Sequence, residues 1–180
     1  MINRIRTKTI IRNPAVLVID VQNDFCSDHG MFKKAGIDIS QIQTMAVNLM
    51  EFLKHIHRLG IPTAYIISHY DPKYLPKNIL DVYRKKGLAG LCTSGTFGAD
   101  FYMLRPQQCL NHCNVFVKHR YDAFTNEKLI NWLKSNRITS LILTGCQTDV
   151  CVDSTARSGF MNGYYIIAIE DCLASSDHSN

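Results

Sequence analysis

Apolar residues fall into two rhythms along the chain. Ala15–Ile19, Thr63–Ser68, Val115–Lys118, Leu141–Thr144 and Tyr164–Glu170 are short runs rich in β-branched and aliphatic side chains. Runs of this kind predict strands buried on both faces. Between them, Ile42, Met45, Ala46, Leu49, Leu53 and Ile56 recur at helical spacing, with Ser40 as the expected N-cap and Gly60 just past the end. The same spacing predicts a helix through Leu129, Ile130, Trp132 and Leu133, and another from about Asp149 to Met161 that ends at Gly163. The stretch from Pro72 to about Arg105 carries much of the Gly and Pro; one helix is expected near Asn78–Lys86 and loop elsewhere.

Strands separated by helical segments require crossover connections, hence a mostly parallel sheet with helices on both faces. The expected fold is α/β, a Rossmann-like three-layer α/β/α arrangement. No repeat or linker interrupts it, so residues 15–180 read as one domain behind a basic arm, 1–14, that carries Arg4, Arg6, Lys8 and Arg12. As a transit peptide this arm would have too little room, because a core strand begins at Ala15; no apolar segment of a secretory signal follows it.

The 180 residues suffice for one full core. With 46% apolar and 19% charged residues, the chain is not of the disordered class. No apolar run approaches the ~20 residues of a membrane-spanning helix. A net charge of +5 without a clustered stripe argues against a nucleic-acid partner. Seven cysteines, an odd number, are too sparse for a disulfide scaffold and suit a reducing, cytoplasmic compartment. Cys109, His112 and Cys113 raise the question of zinc, but C-L-N-H-C is not a paired knuckle and no second pair follows.

In open parallel sheets the chemistry gathers beyond the carboxyl ends of the strands. Asp20 follows the first strand, Ser68-His69-Tyr70-Asp71 the second and Lys118-His119-Arg120 the third, and Cys151 lies shortly after the fourth. An acid, a lysine and a cysteine brought to one rim form a nucleophilic set. A first-turn position in its helix and a nearby Lys118 would hold Cys151 as thiolate. Asp20 would take the thiol proton and pass it to a leaving amine, and backbone amides around Gln147 and Cys151 would hold the oxyanion.

Four ordered blocks extend this pattern: Val18–Phe25, Gly95–Asp100, Val117–Phe124 and Thr144–Arg157. Through them the chain resembles the isochorismatase-like cysteine hydrolase superfamily, from about Pro14 to Ser176. The resemblance implies an Asp20–Lys118–Cys151 triad and a cis peptide at Cys146–Gln147. It also implies a homo-oligomer that hydrolyses a C–N bond of a small-molecule amide or carbamoyl substrate through a thioester. Nicotinamidases in this superfamily add a metal held by Asp-x-His after the second strand. Here that stretch reads Ser68-His69-Tyr70-Asp71-Pro72, which favours a member with no metal and no cofactor, His69 being a loop or pocket-wall residue. Against the superfamily's pattern, the chain is expected to lack the last helix and edge strand.

Phe25, Phe97, Tyr121 and Phe124 flank the catalytic blocks and are candidates to line the substrate pocket. Gly95-Thr96-Phe97-Gly98 lacks the Lys and Ser/Thr of a phosphate loop and reads as a structural turn. Cys151 and Arg157 share the C-x5-R spacing of cysteine phosphatases, but the intervening Asp153 opposes a dianion and that reading leaves Asp20 and Lys118 without a role. A third alternative is a non-catalytic or truncated family member that serves assembly or binding.

Overall fold

The structure is a computed structural model and describes residues 11–104, 106 and 113–176. Most of the basic arm, the Cys109–His112 segment and the last four residues lie outside the described residues. Five strands, β1 (Pro14–Ile19), β2 (Thr63–Ser68), β3 (Cys113–Lys118), β4 (Ser140–Gly145) and β5 (Tyr165–Leu173), form one sheet in the order β3-β2-β1-β4-β5. Every pairing is parallel. Between the strands run α1 (Asn23–Cys26), α2 (Met31–Lys34), α3 (Ser40–Arg58), α4 (Lys77–Lys85), α5 (Glu127–Ser135) and α6 (Asp153–Met161). Among the described residues no helix is long and apolar enough to cross a membrane.

Alternation along the central strands feeds two cores. Val16 and Val18 point to the side where α3 packs Ile42, Met45, Leu49, Leu53 and Ile56. Ala15, Leu17 and Ile19 point to the opposite side, with Leu129 and Leu133 of α5. Each such aliphatic side chain contributes roughly 1.5–3 kcal/mol by leaving water.

Several local expectations are corrected. Ser40 is the first residue of α3, not its cap: its own amide donates to Asp38 Oδ1 at 3.0 Å. The expected helix from Asp149 is two pieces, a wide π-type turn over Thr148–Val152 that runs into α6. Such widened turns recur at functional sites because the extra residue re-aims the side chains. The short helices α1 and α2 had no periodicity long enough to betray them.

The order of strands reverses between β1 and β4, and there the backbones touch. Gly145 has φ 104, and a Cβ on it would lie 2.0 Å from the Ile19 carbonyl oxygen. Only glycine permits that approach, which brings the Cys146 amide to the same carbonyl at 2.9 Å. The chain ends of β1 and β4 therefore open onto one crevice.

Candidate active site

Register sets the first half of the site. Ile19 pairs with Ile66, and Ser68 with Lys118, so the residue after β1 and the last residues of β2 and β3 share one rim. Asp20 turns into the left-handed region, φ 54, a conformation that Asp tolerates better than most residues. Gln22 locks the rim: its Oε1 accepts the Ser68 amide at 2.7 Å, and its Nε2 donates to the carbonyls of Ser68 and Ala99 at 3.0 and 2.7 Å.

Lys118 is the hub. Its side chain is fully buried, and Nζ donates to Asp20 Oδ2 at 2.7 Å and to Ser68 Oγ at 2.7 Å. Ser68 Oγ in turn donates to Asp20 Oδ1 at 2.9 Å. Nζ also lies 3.2 Å from Tyr70 Oη and 3.4 Å from Cys151 Sγ. Burial alone would discharge this lysine, but the Asp20 carboxylate and the neighbouring sulfur outweigh it and hold its pKa above the usual lysine range.

The second half comes from the turn after β4. The Cys146–Gln147 peptide is cis and carries the Gln147 amide, and the π-type turn beyond it, Thr148–Val152, carries the amide of Cys151. Thr155 Oγ1 donates to the Cys151 carbonyl at 2.7 Å and accepts from the Ala123 amide at 3.1 Å, tying the turn to the segment after β3. Asp20, Lys118 and Cys151 thus meet at one point. The thiol itself differs from expectation. Burial and the Asp20 carboxylate, charged and accepting its hydrogen bond, push Cys151 up to about 12; the ammonium of Lys118 offsets this only in part. Burial and the carboxylate therefore favour the neutral thiol over a standing thiolate.

Cys151 opens onto a cavity of about 390 Å³ whose walls include Phe25, Phe32, Ile37, Tyr83, Leu88 and Tyr121. Tyr70 and Val150 also line it, and among the described residues Lys86 is the one charged side chain in the lining. Phe25 and Tyr121 stand where the pocket was expected; Phe124 and Phe97 do not. Phe124 is buried against Tyr164 and Gly159 in the α5-side core, and Phe97 is 53% exposed, its carbonyl accepting from Asn23 at 2.8 Å. Tyr70 and Ser68 have no assigned role in the sequence reading, and Phe32 and Tyr83 are absent from it. The first two stand at the end of β2, a signal available in the sequence; the others sit on α2 and α4 and reach the cavity only through the packing of those helices.

One carboxylate clamps two of the walls. Asp24 Oδ1 accepts the Met31 amide at 3.0 Å and Oδ2 the Cys92 amide at 2.7 Å. Gly98 presses on that carboxylate so closely that a Cβ would fall 2.2 Å from it.

The remaining candidates sort plainly. His69 is a loop residue whose amide donates to the Lys118 carbonyl at 3.0 Å and whose own carbonyl lies 2.7 Å from His119 Nδ1; partial burial lowers its pKa. Arg157 is paired with Asp153 at 2.8 Å on the surface of α6, which removes it from any phosphate loop around Cys151. Among the described residues no group of three or more His, Cys, Asp or Glu side chains is placed to hold a metal ion. Cys26, Cys92, Cys146, Cys151 and Cys172 are free thiols.

Comparison with known proteins agrees with this architecture. The family model of the isochorismatase domain matches residues 14–180. The chain is 31% identical over 170 residues to the ureidoacrylate amidohydrolase RutB of Acinetobacter baylyi, covering 87% of this chain and 69% of that protein. Its fold is similar to a cysteine hydrolase from Pseudomonas syringae pv. phaseolicola, with a TM-score of 0.79 at 20% identity over 96% of this chain and 80% of the other. It is likewise similar to N-carbamoylsarcosine amidase from Thermoplasma acidophilum, with a TM-score of 0.73 at 24% identity over 93% and 87%. The chain belongs to the isochorismatase family.

Proposed function

We propose that this member of the isochorismatase family is a cysteine amidohydrolase that cleaves a non-peptide C–N bond of a small amide or carbamoyl compound through a thioester on Cys151. The observation that carries the reading is the meeting of Lys118 Nζ with Asp20 Oδ2 at 2.7 Å and with Cys151 Sγ at 3.4 Å, where Cys151 lines a mostly apolar cavity.

Asp20 takes the proton from Cys151 Sγ as the sulfur attacks the carbonyl carbon of the substrate. Lys118 stabilises the charge passing through the sulfur, and the amides of Gln147 and Cys151 receive the oxyanion. Because the thiol is protonated at rest, proton transfer and attack are coupled, and the nucleophile forms only against a bound carbonyl. When the tetrahedral adduct collapses, the C–N bond breaks and Asp20 returns its proton to the departing nitrogen, which leaves as ammonia or an amine. Water then attacks the thioester carbon, Asp20 takes the water proton, and the C–S bond breaks with that proton restored to sulfur. The aromatic and aliphatic walls bury the body of the substrate and exclude bulk water from this sequence.

The sequence similarity to a ureidoacrylate amidohydrolase makes ureidoacrylate the first probe. Wild type is expected to release ammonia from ureidoacrylate or from a panel of small primary amides and ureas, and Cys151→Ala to release none. A transient adduct on Cys151 in intact-mass spectra identifies the thioester. Folded wild type without turnover or adduct across the panel refutes the reading in favour of a non-catalytic assembly role.

A further inference from the structure

We infer that Tyr70 is a further catalytic residue: its hydroxyl, packed between Lys118 and Cys151, donates a hydrogen bond to the sulfur as charge develops there and keeps its own proton throughout.

A count of hydrogens leads to this assignment. Lys118 has three N–H donors and four neighbouring acceptors: Asp20 Oδ2, Ser68 Oγ, Tyr70 Oη and Cys151 Sγ. The two 2.7 Å bonds claim two hydrogens, leaving one for the pair at 3.2 and 3.4 Å. If it goes to Tyr70 Oη, the tyrosine's hydrogen remains to serve the sulfur at 3.7 Å. If it goes to the sulfur, Tyr70 supplies a second donor. In either arrangement a sulfur that has given its proton to Asp20 accepts a hydrogen bond from the phenol, with the ammonium of Lys118 3.4 Å away.

The surroundings keep Tyr70 a donor. Its ring is buried against Tyr83 and Tyr121, with centroids 5.6 and 6.5 Å away, and its amide donates to the Cys92 carbonyl. The groups facing the hydroxyl from the packed elements are Asp20, Ser68, Tyr83, Tyr121, Lys118 and Cys151. Burial and the charges of Cys151 and Asp20 push the phenol well above its ordinary range, which keeps it a donor at neutral pH. Tyr70 also lines the cavity, within reach of a carbonyl held against Cys151.

The inference rests on the amidohydrolase reading, and the test separates the two. Tyr70→Phe preserves the ring and removes only the hydroxyl. A hydrogen bond to a charged atom is worth about 1.5 kcal/mol, or roughly tenfold in rate. The variant should therefore hydrolyse ureidoacrylate with kcat about tenfold lower and KM within about twofold. Its Cys151 should react with iodoacetamide at pH 8 about threefold more slowly, since a tenfold smaller thiolate fraction is partly offset by greater nucleophilicity. Fluorotyrosine at position 70, a stronger donor, should shift alkylation the other way. Unchanged kcat and alkylation in Tyr70→Phe, or a rise in KM alone, overturns the assignment. If wild type does not turn over any amide, the amidohydrolase reading fails, but the alkylation comparison still decides the role of Tyr70.

Discussion

Replacing Asp20 by Asn separates the base from the scaffold, because turnover and thiol reactivity should move in opposite directions. In the wild type the carboxylate raises the Cys151 pKa both by its charge and by accepting the thiol's hydrogen bond, so that the sulfur stands at about 12. The amide keeps the shape but loses the charge and cannot take a proton. Turnover should fall by about 10²–10⁴, the usual share of a positioned general base. The thiol pKa should fall at the same time, with Lys118 now the dominant charge beside the sulfur. Each unit of that fall multiplies the thiolate fraction tenfold and, after the loss of intrinsic nucleophilicity, speeds iodoacetamide alkylation about threefold. Stability should drop by about 3–5 kcal/mol, since a fully buried ammonium loses its counter-charge. The assay is paired: ammonia release and the alkylation rate of Cys151, both measured at temperatures where the circular dichroism of the variant is native. A variant in which alkylation slows in step with turnover would falsify the idea that Asp20 restrains the resting sulfur.

Two further expectations follow from the same geometry. Buried Cys151 ionises only near 12 in the folded protein but near 9 when exposed, so the unfolded chain sheds that proton first as pH rises. Stability should therefore decline from about pH 9 upward, and the Lys118 pair adds a loss of the same sign once pH exceeds the ordinary lysine range. Thermal melts of Cys151→Ala should show a shallower alkaline decline than wild type; parallel curves would mean that the sulfur is not shielded. Gly98→Val places carbons where the Asp24 carboxylate lies, and should lower both the melting temperature and the affinity for substrate, read as KM, while leaving the alkylation of Cys151 within about twofold.

Much of the architecture was legible because two-sided burial leaves continuous β-branched runs, as at Val16–Ile19, and one-sided burial leaves the spacing from Ile42 to Ile56. The rim residues Asp20, Lys118 and Cys151 were legible for a topological reason: parallel strands deliver their carboxyl ends to one side. What lay beyond the sequence was set by fit between segments far apart in the chain. Whether Phe124 faces a cavity or a core is decided by contact with Tyr164 and Gly159, and Phe32 reaches the cavity only through the fold of α2. The expectation of a thiolate at Cys151 weighs a helix start and a lysine but not burial, which is the largest influence on the thiol and raises its pKa. Tyr70 was in view as a strand-end residue, but only the distances to Lys118 and Cys151 give its hydroxyl a task.

The grip of Asp24 on the amides of Met31 and Cys92 means that the outline of the cavity is governed by a residue that lines none of it. Efforts to retune substrate choice should accordingly treat positions 24 and 98 as the hinge pin of a vice. Varying Phe32, Ile37, Tyr83 and Leu88 changes the jaws one contact at a time, whereas loosening the pin changes every contact at once and forfeits selectivity before it yields a new preference.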